Sequence, residues 1–123
     1  MEQEILDLVN AQRAGAGCGA LSLHPALTAA ADGHAEDMKA NGYFSHDSQD
    51  GRSPFDRITA AGYSYRTAGE NIAQGQRDAA AVMDAWMNSS GHRANILNCA
   101  FTDLGVGYAE GSGGPWWVQN FGA

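Results

Sequence analysis

Asn88-Ser89-Ser90-Gly91-His92-Arg93-Ala94-Asn95-Ile96-Leu97-Asn98 is the stretch whose reading decides the fold. It follows a helical run ending in Trp86-Met87 and puts His92 just after a glycine, where a second helix can begin. Ser89 or Ser90 is expected to cap that helix through a side-chain oxygen, with Ala94, Ile96 and Leu97 supplying its apolar contacts. A histidine in the first helical turn feels the positive end of the dipole, which favours the neutral ring that can bind a metal. Taken alone, His92 reads as an incidental residue of a capped helix. The rest of the chain changes that reading.

On the N-terminal side of this stretch, Gln76 to Asn88 reads as a helix with Ala80, Val82, Met83 and Trp86 inward. Before it, Ala68-Gly-Glu-Asn-Ile-Ala-Gln-Gly75 carries Glu70, the only acidic residue between Asp56 and Asp78. A carboxylate there either orients a histidine or a water, or is a solvated turn residue. On the C-terminal side, Phe101 to Ala109 alternates apolar and polar through Leu104, Val106 and Tyr108, and Pro115 to Phe121 follows a Gly-rich turn. These two segments predict an antiparallel hairpin.

The N-terminal half reads as helices. Glu2 to Ala14 is amphipathic, with Ile5, Leu8, Val9 and Gln12 on one face. A second helix is expected from Pro25 to about Ala40, stopped by Asn41-Gly42. Its apolar face holds Leu27, Ala30, Ala31, His34 and Met38, so His34 points inward as a hydrogen-bonded core histidine. Tyr43 to Pro54 is a polar loop in which His46 is surrounded by Ser45, Asp47 and Ser48. Its Asp47 and Asp50 lack the spacing and the closing glutamate of a calcium loop. A short helix from Ser53 or Pro54 to Ala61 uses Phe55 and Ile58. With no internal repeat or linker, residues 1–123 form one α+β domain: helices packed on a small, mostly antiparallel sheet.

A chain of 123 residues can bury a real core. Seven basic against fourteen acidic side chains leave a formal charge of −7, which argues against nucleic-acid binding and against adhesion to anionic membranes, but permits a cation site. No apolar run approaches the length of a transmembrane segment. The opening Met1-Glu-Gln-Glu reads as the start of a mature domain without its signal peptide. The two cysteines, Cys18 and Cys99, are either two buried thiols or one bridge. The bridge is the favoured reading, and it goes with an extracytoplasmic location.

Seven motifs then occur in order: His34-Ala-Glu-Asp-Met, Tyr43-Phe-Ser-His, Ala68-Gly-Glu-Asn-Ile-Ala, Trp86-Met-Asn-Ser, Gly91-His-Arg-Ala-Asn-Ile-Leu, Gly105-Val-Gly-Tyr and Trp117-Val-Gln-Asn-Phe-Gly. Together they resemble a bacterial, SCP-like member of the CAP superfamily (cysteine-rich secretory proteins, antigen 5, pathogenesis-related 1). The resemblance spans nearly the whole chain. It implies a secreted, three-layer α-β-α sandwich with a cleft where two histidines and acidic residues converge. Carried over by position, His46 is the first cleft histidine, Glu70 the acidic residue and His92 the second histidine. Where many eukaryotic relatives have a second glutamate, this chain has Ser89. His34, Ser45, Asn71 and Ser89 are expected to line the cleft.

Two neutral imidazoles with one or two waters make an open site for Zn²⁺ or another divalent cation, bound weakly unless a third ligand joins. The leading expectation is a monomeric binding module whose cleft takes a cation and a cell-wall fragment, peptide or lipid. The alternative is a metal-dependent hydrolase, a peptidase or cell-wall hydrolase, with Glu70 as catalytic base. A serine hydrolase using Ser45 or Ser89 lacks a nucleophile elbow. A purely structural polar cluster is the third reading.

Overall fold

In a computed structural model describing residues 1–123, the elements run α1 (Glu2–Gly15), β1 (Ser22–Leu23), α2 (Pro25–Asn41), α3 (Pro54–Ala60), β2 (Ala68–Gln74), α4 (Ala79–Met87), α5 (Ser90–Ile96), β3 (Asp103–Ala109) and β4 (Trp116–Gly122). The four strands lie in the order β1-β3-β4-β2, with β1 parallel to β3 and the other two pairings antiparallel. The expected hairpin of β3 and β4 is present, in register from Asp103 opposite Gly122 to Ala109 opposite Trp116.

Alternation along the strands sorts side chains into two layers. Leu104 and Val106 of β3 and Trp117 and Phe121 of β4 pack with Ile5 and Val9 of α1, Val82 and Trp86 of α4, and Ile96 of α5. The opposite face carries Ile72, Ala109, Trp116 and Val118 against Ala31, Ala35 and Met38 of α2. The sheet is therefore covered on both sides, as the three-layer sandwich requires. Two glycines set how closely α2 lies on it. A Cβ on Gly105 would fall 2.0 Å from the carbonyl carbon of Leu27, and one on Gly107 would fall 2.2 Å from the oxygen of Ala31.

Cys18 and Cys99 are disulfide-bonded across a sequence separation of 81 residues. Closing so long a loop removes denatured-chain entropy worth about 4–5 kcal/mol in the chain-entropy model.

Several local expectations are corrected. On α1, Gln12 is exposed and Arg13 is fully buried. Its guanidinium is satisfied by four backbone carbonyls, those of Gly19, Ile96, Asn98 and Phe101. Helix α4 starts at Ala79, not Gln76, because the Asp78 carboxylate caps it by accepting from the Ala81 N–H. Ala79 is buried and Ala80 exposed. Ala94 is also exposed. Ser89 occupies the N-cap position of α5, yet neither it nor Ser90 caps the helix through its side chain. Two strands, β1 and β2, were not assigned from the sequence.

Candidate functional site

β2 is an edge strand, and its alternation turns Glu70 toward α2 and α3 and Asn71 toward α5. The Glu70 side chain is 2% exposed, and both oxygens are engaged. His46 Nδ1 lies 2.9 Å from Oε1, and Arg57 Nη2 donates to Oε2 at 3.0 Å and to Oε1 at 3.3 Å. Asn120 Nδ2 donates to Oε2 at 3.0 Å. A solvated turn residue is thus ruled out for Glu70.

The loop that carries His46 has no regular structure of its own, so two buried side chains hold it. Arg57 Nη2 donates to the His46 carbonyl at 2.7 Å, and its Nη1 donates to Ser48 Oγ at 3.0 Å and to the Arg52 carbonyl at 3.2 Å. From α2, His34 Nε2 meets the Ser45 carbonyl at 2.7 Å. A ring nitrogen facing a carbonyl carries the proton. His34 is fully buried, as expected of a core histidine, and burial pushes its pKa down.

On the other face of β2, Asn71 clamps α5 to the strand. Its Nδ2 donates to the His92 carbonyl at 3.1 Å and to Gln119 Oε1 at 3.1 Å. Asn95 Nδ2 returns bonds to Asn71 Oδ1 at 2.9 Å and to the Glu70 carbonyl at 3.2 Å. The Ser89 hydroxyl, freed from capping, lies 2.8 Å from His92 Nδ1.

Consecutive residues of one edge strand therefore hold the two histidines from opposite sides. The His46 ring is half exposed. Its pKa is raised, first by the hydrogen bond to Glu70 and against the opposing effect of burial. That of His92 is lowered, first by burial and then by the charge on His46. Each Nδ1 is committed, His46 to Glu70 and His92 to Ser89, while no protein group meets either Nε2.

His46, Glu70 and His92 are thus gathered at the β2 edge, and Ser89 touches His92. His34 and Ser45 act from beneath. Asn71 is fully buried on the far side of the strand and anchors α5 instead of facing the rings. Arg57, Asn95 and Asn120 were not singled out from sequence. For Arg57 the available signal was its place beside Ile58 on a short helix, next to the buried face. No three His, Cys, Asp or Glu side chains form a group that could hold a metal ion.

The cysteine-rich secretory protein (CAP) family model matches residues 6–121, and the chain belongs to that family. Among relatives, it is 47% identical over 120 residues to the uncharacterised protein YkwD of Bacillus subtilis, covering 98% of this chain and 46% of YkwD. It superposes on an extracellular SCP-domain protein of Bacillus anthracis with a TM-score of 0.92 and 40% identity, over 98% of this chain and 39% of that one. The chain spans less than half the length of these relatives. NaASP2, a protein crystallised with Zn²⁺, shares the fold at a TM-score of 0.73 and 16% identity, over 98% of this chain and 77% of that one. No helix is long and apolar enough to cross a membrane.

Proposed function

We propose that this domain is an extracellular binding module, monomeric in solution, that holds a divalent cation, zinc foremost, between Nε2 of His46 and Nε2 of His92. The observation that carries the reading is the pairing of two committed Nδ1 atoms with two unpartnered Nε2 atoms. A carboxylate on the far nitrogen of a ligating imidazole fixes its tautomer and raises its basicity. Glu70 is placed to do this for His46, and Ser89 to orient His92. The disulfide suits an oxidising, extracellular compartment. The donor set fits a weak zinc site with two protein ligands, and a zinc ion there would leave its remaining positions to water or to a ligand. That ligand is a cell-wall fragment, a peptide or a lipid. The NaASP2 crystal with Zn²⁺ is consistent with the metal on this fold.

Calorimetry with zinc tests the reading. The wild-type domain is expected to bind weakly and exchangeably, and each of His46→Ala and His92→Ala to lower affinity by at least about 10-fold, the lower end of what even an outer-shell change costs. Unchanged zinc binding in the double variant refutes the site.

The pH dependence has a definite sign. Metal binding needs a free Nε2, so protons compete with zinc. Because Glu70 raises His46, its proton is the first to compete as pH falls, whereas His92, lowered, joins only at more acid pH. Zinc affinity should therefore fall as pH is lowered, first as His46 takes its proton and then more steeply as His92 takes a second, each proton contributing at most about 10-fold per pH unit. A flat profile between pH 7 and pH 5 contradicts the model.

A hydrolase with Glu70 as general base is less well supported, because its carboxylate is closed to water and both oxygens are hydrogen-bonded. Turnover of casein or peptidoglycan that is lost in Glu70→Gln would favour it.

A further inference from the structure

One nitrogen of Arg57 reaches the same histidine by two routes. Nη2 donates to the His46 carbonyl at 2.7 Å and to the two oxygens of Glu70 at 3.0 and 3.3 Å. Glu70 Oε1 in turn meets Nδ1 of the His46 ring at 2.9 Å. The contacts close a circuit that fixes the backbone of His46 and its ring together. The other nitrogen, Nη1, serves the turn that follows. It donates to Ser48 Oγ at 3.0 Å and to the Arg52 carbonyl at 3.2 Å, and the Ser48 N–H donates to that same carbonyl at 2.8 Å.

A planar guanidinium fork spans both sets of acceptors, whereas a lysine ammonium brings the charge on a single nitrogen. Arg57 is held in reach of the loop because α3 starts beside it, where Ser53 and Asp56 cap the helix reciprocally.

The same contacts decide what Glu70 cannot do. His46 and Arg57 occupy Oε1, and Arg57 and Asn120 occupy Oε2. The two nitrogens of an imidazole point to opposite sides of the ring, so a carboxylate held at Nδ1 stands behind His46 from any cation on Nε2. A cation between the rings therefore meets two neutral nitrogens and no anionic oxygen of the protein. Imidazole suits zinc, nickel and copper, whereas magnesium and calcium are held by carboxylate, carbonyl and water oxygens.

We propose that Arg57 sets the cation class of this site: it locks Glu70 into orienting His46 and withholds it as a ligand, so the two rings take zinc or nickel and refuse magnesium and calcium. The inference rests on the cation reading above. Arg57 is a positioning residue, acting on the metal only through His46 and Glu70.

Calorimetry and ring-nitrogen NMR of the whole domain with Zn²⁺, Ni²⁺, Mg²⁺ and Ca²⁺ test it, on wild type, Arg57→Lys and Arg57→Gln. In the wild type, zinc and nickel should perturb the Nε2 signals of both His46 and His92. Magnesium and calcium should perturb neither at concentrations that saturate the zinc response. Arg57→Lys keeps the counter-charge to Glu70 and should stay closer to wild type in urea unfolding than Arg57→Gln. Both variants should nonetheless lose about 10- to 100-fold in zinc affinity, the cost of removing a group that orients a ligand. A merely structural ion pair would let lysine restore zinc binding along with stability. Magnesium or calcium perturbing both rings, or a folded Arg57→Lys that binds zinc as tightly as wild type, overturns the proposal and leaves the cation reading standing. A wild type that binds neither zinc nor nickel refutes that reading, and the proposal with it. Should neither variant fold, the wild-type series decides, together with the Arg57 Nη–H signals, which must persist in the zinc-saturated domain.

Discussion

Replacing Glu70 by alanine is expected to remove about 3–5 kcal/mol of folding stability, because it leaves the Arg57 guanidinium buried and without its counter-charge. The pair is not valuable for its Coulomb energy alone. Arg57 is 6% exposed and also supports the His46 carbonyl, Ser48 and Arg52, so its desolvation cannot be relieved by swinging into water. The loop that carries His46 should loosen with it. Urea unfolding of Glu70→Ala against wild type measures the loss directly, and a loss below about 1 kcal/mol would mean that Arg57 finds other partners. The deficit should also depend on pH. Glu70 raises the pKa of His46 in the folded state, so its stabilising effect through that ring is fully present below the unfolded histidine pKa and fades as pH rises through the folded value. The variant should therefore fall further behind wild type at pH 6 than at pH 8.

Gly105→Ala is the second large effect. The new methyl carbon would stand 2.0 Å from the Leu27 carbonyl carbon and 2.3 Å from its oxygen, both backbone atoms of α2. Side chains can rotate away from an intruder, but a helix backbone must translate, and this helix also carries His34. A cost of at least about 3 kcal/mol is expected, at or beyond the usual range for overpacking. Gly33→Ala, in the open interior of the same helix, is the control and should gain about 0.5–1 kcal/mol from helix propensity. Equal stability of the two variants in chemical denaturation would show that α2 does not bear on the sheet at Gly105.

What was legible in the sequence followed from local rules. Pro25 at the start and Gly42 at the end framed α2, and alternation at Leu104, Val106 and Tyr108 marked β3. Strand β2 escaped because Ala68–Gln74 is buried at five consecutive positions and so shows no polar–apolar alternation. Glu70 and Asn71 are there buried by ion pairing and amide bonds, not by hydrophobicity. Arg13 escaped for the same reason, since a charged residue on a helix is read as solvated unless its carbonyl partners, far along the chain, are known. At the candidate site, family motifs named His46, Glu70, His92 and Ser89, but not Arg57, Asn95 and Asn120, which fix Glu70 and the elements around it. Ser89 was read as a cap because serine at that position usually is one; here a histidine three residues on competes for the hydroxyl and takes it.

A structure of crystals grown with zinc, with anomalous data collected at its edge, bears most directly on the central claim that two imidazoles share one cation at the rim of β2. The account predicts a single anomalous peak within about 2.1 Å of Nε2 of both His46 and His92, with Glu70 still hydrogen-bonded to His46 Nδ1. A peak bound to one ring only, or zinc ligated by Glu70 with His46 turned away, would contradict it.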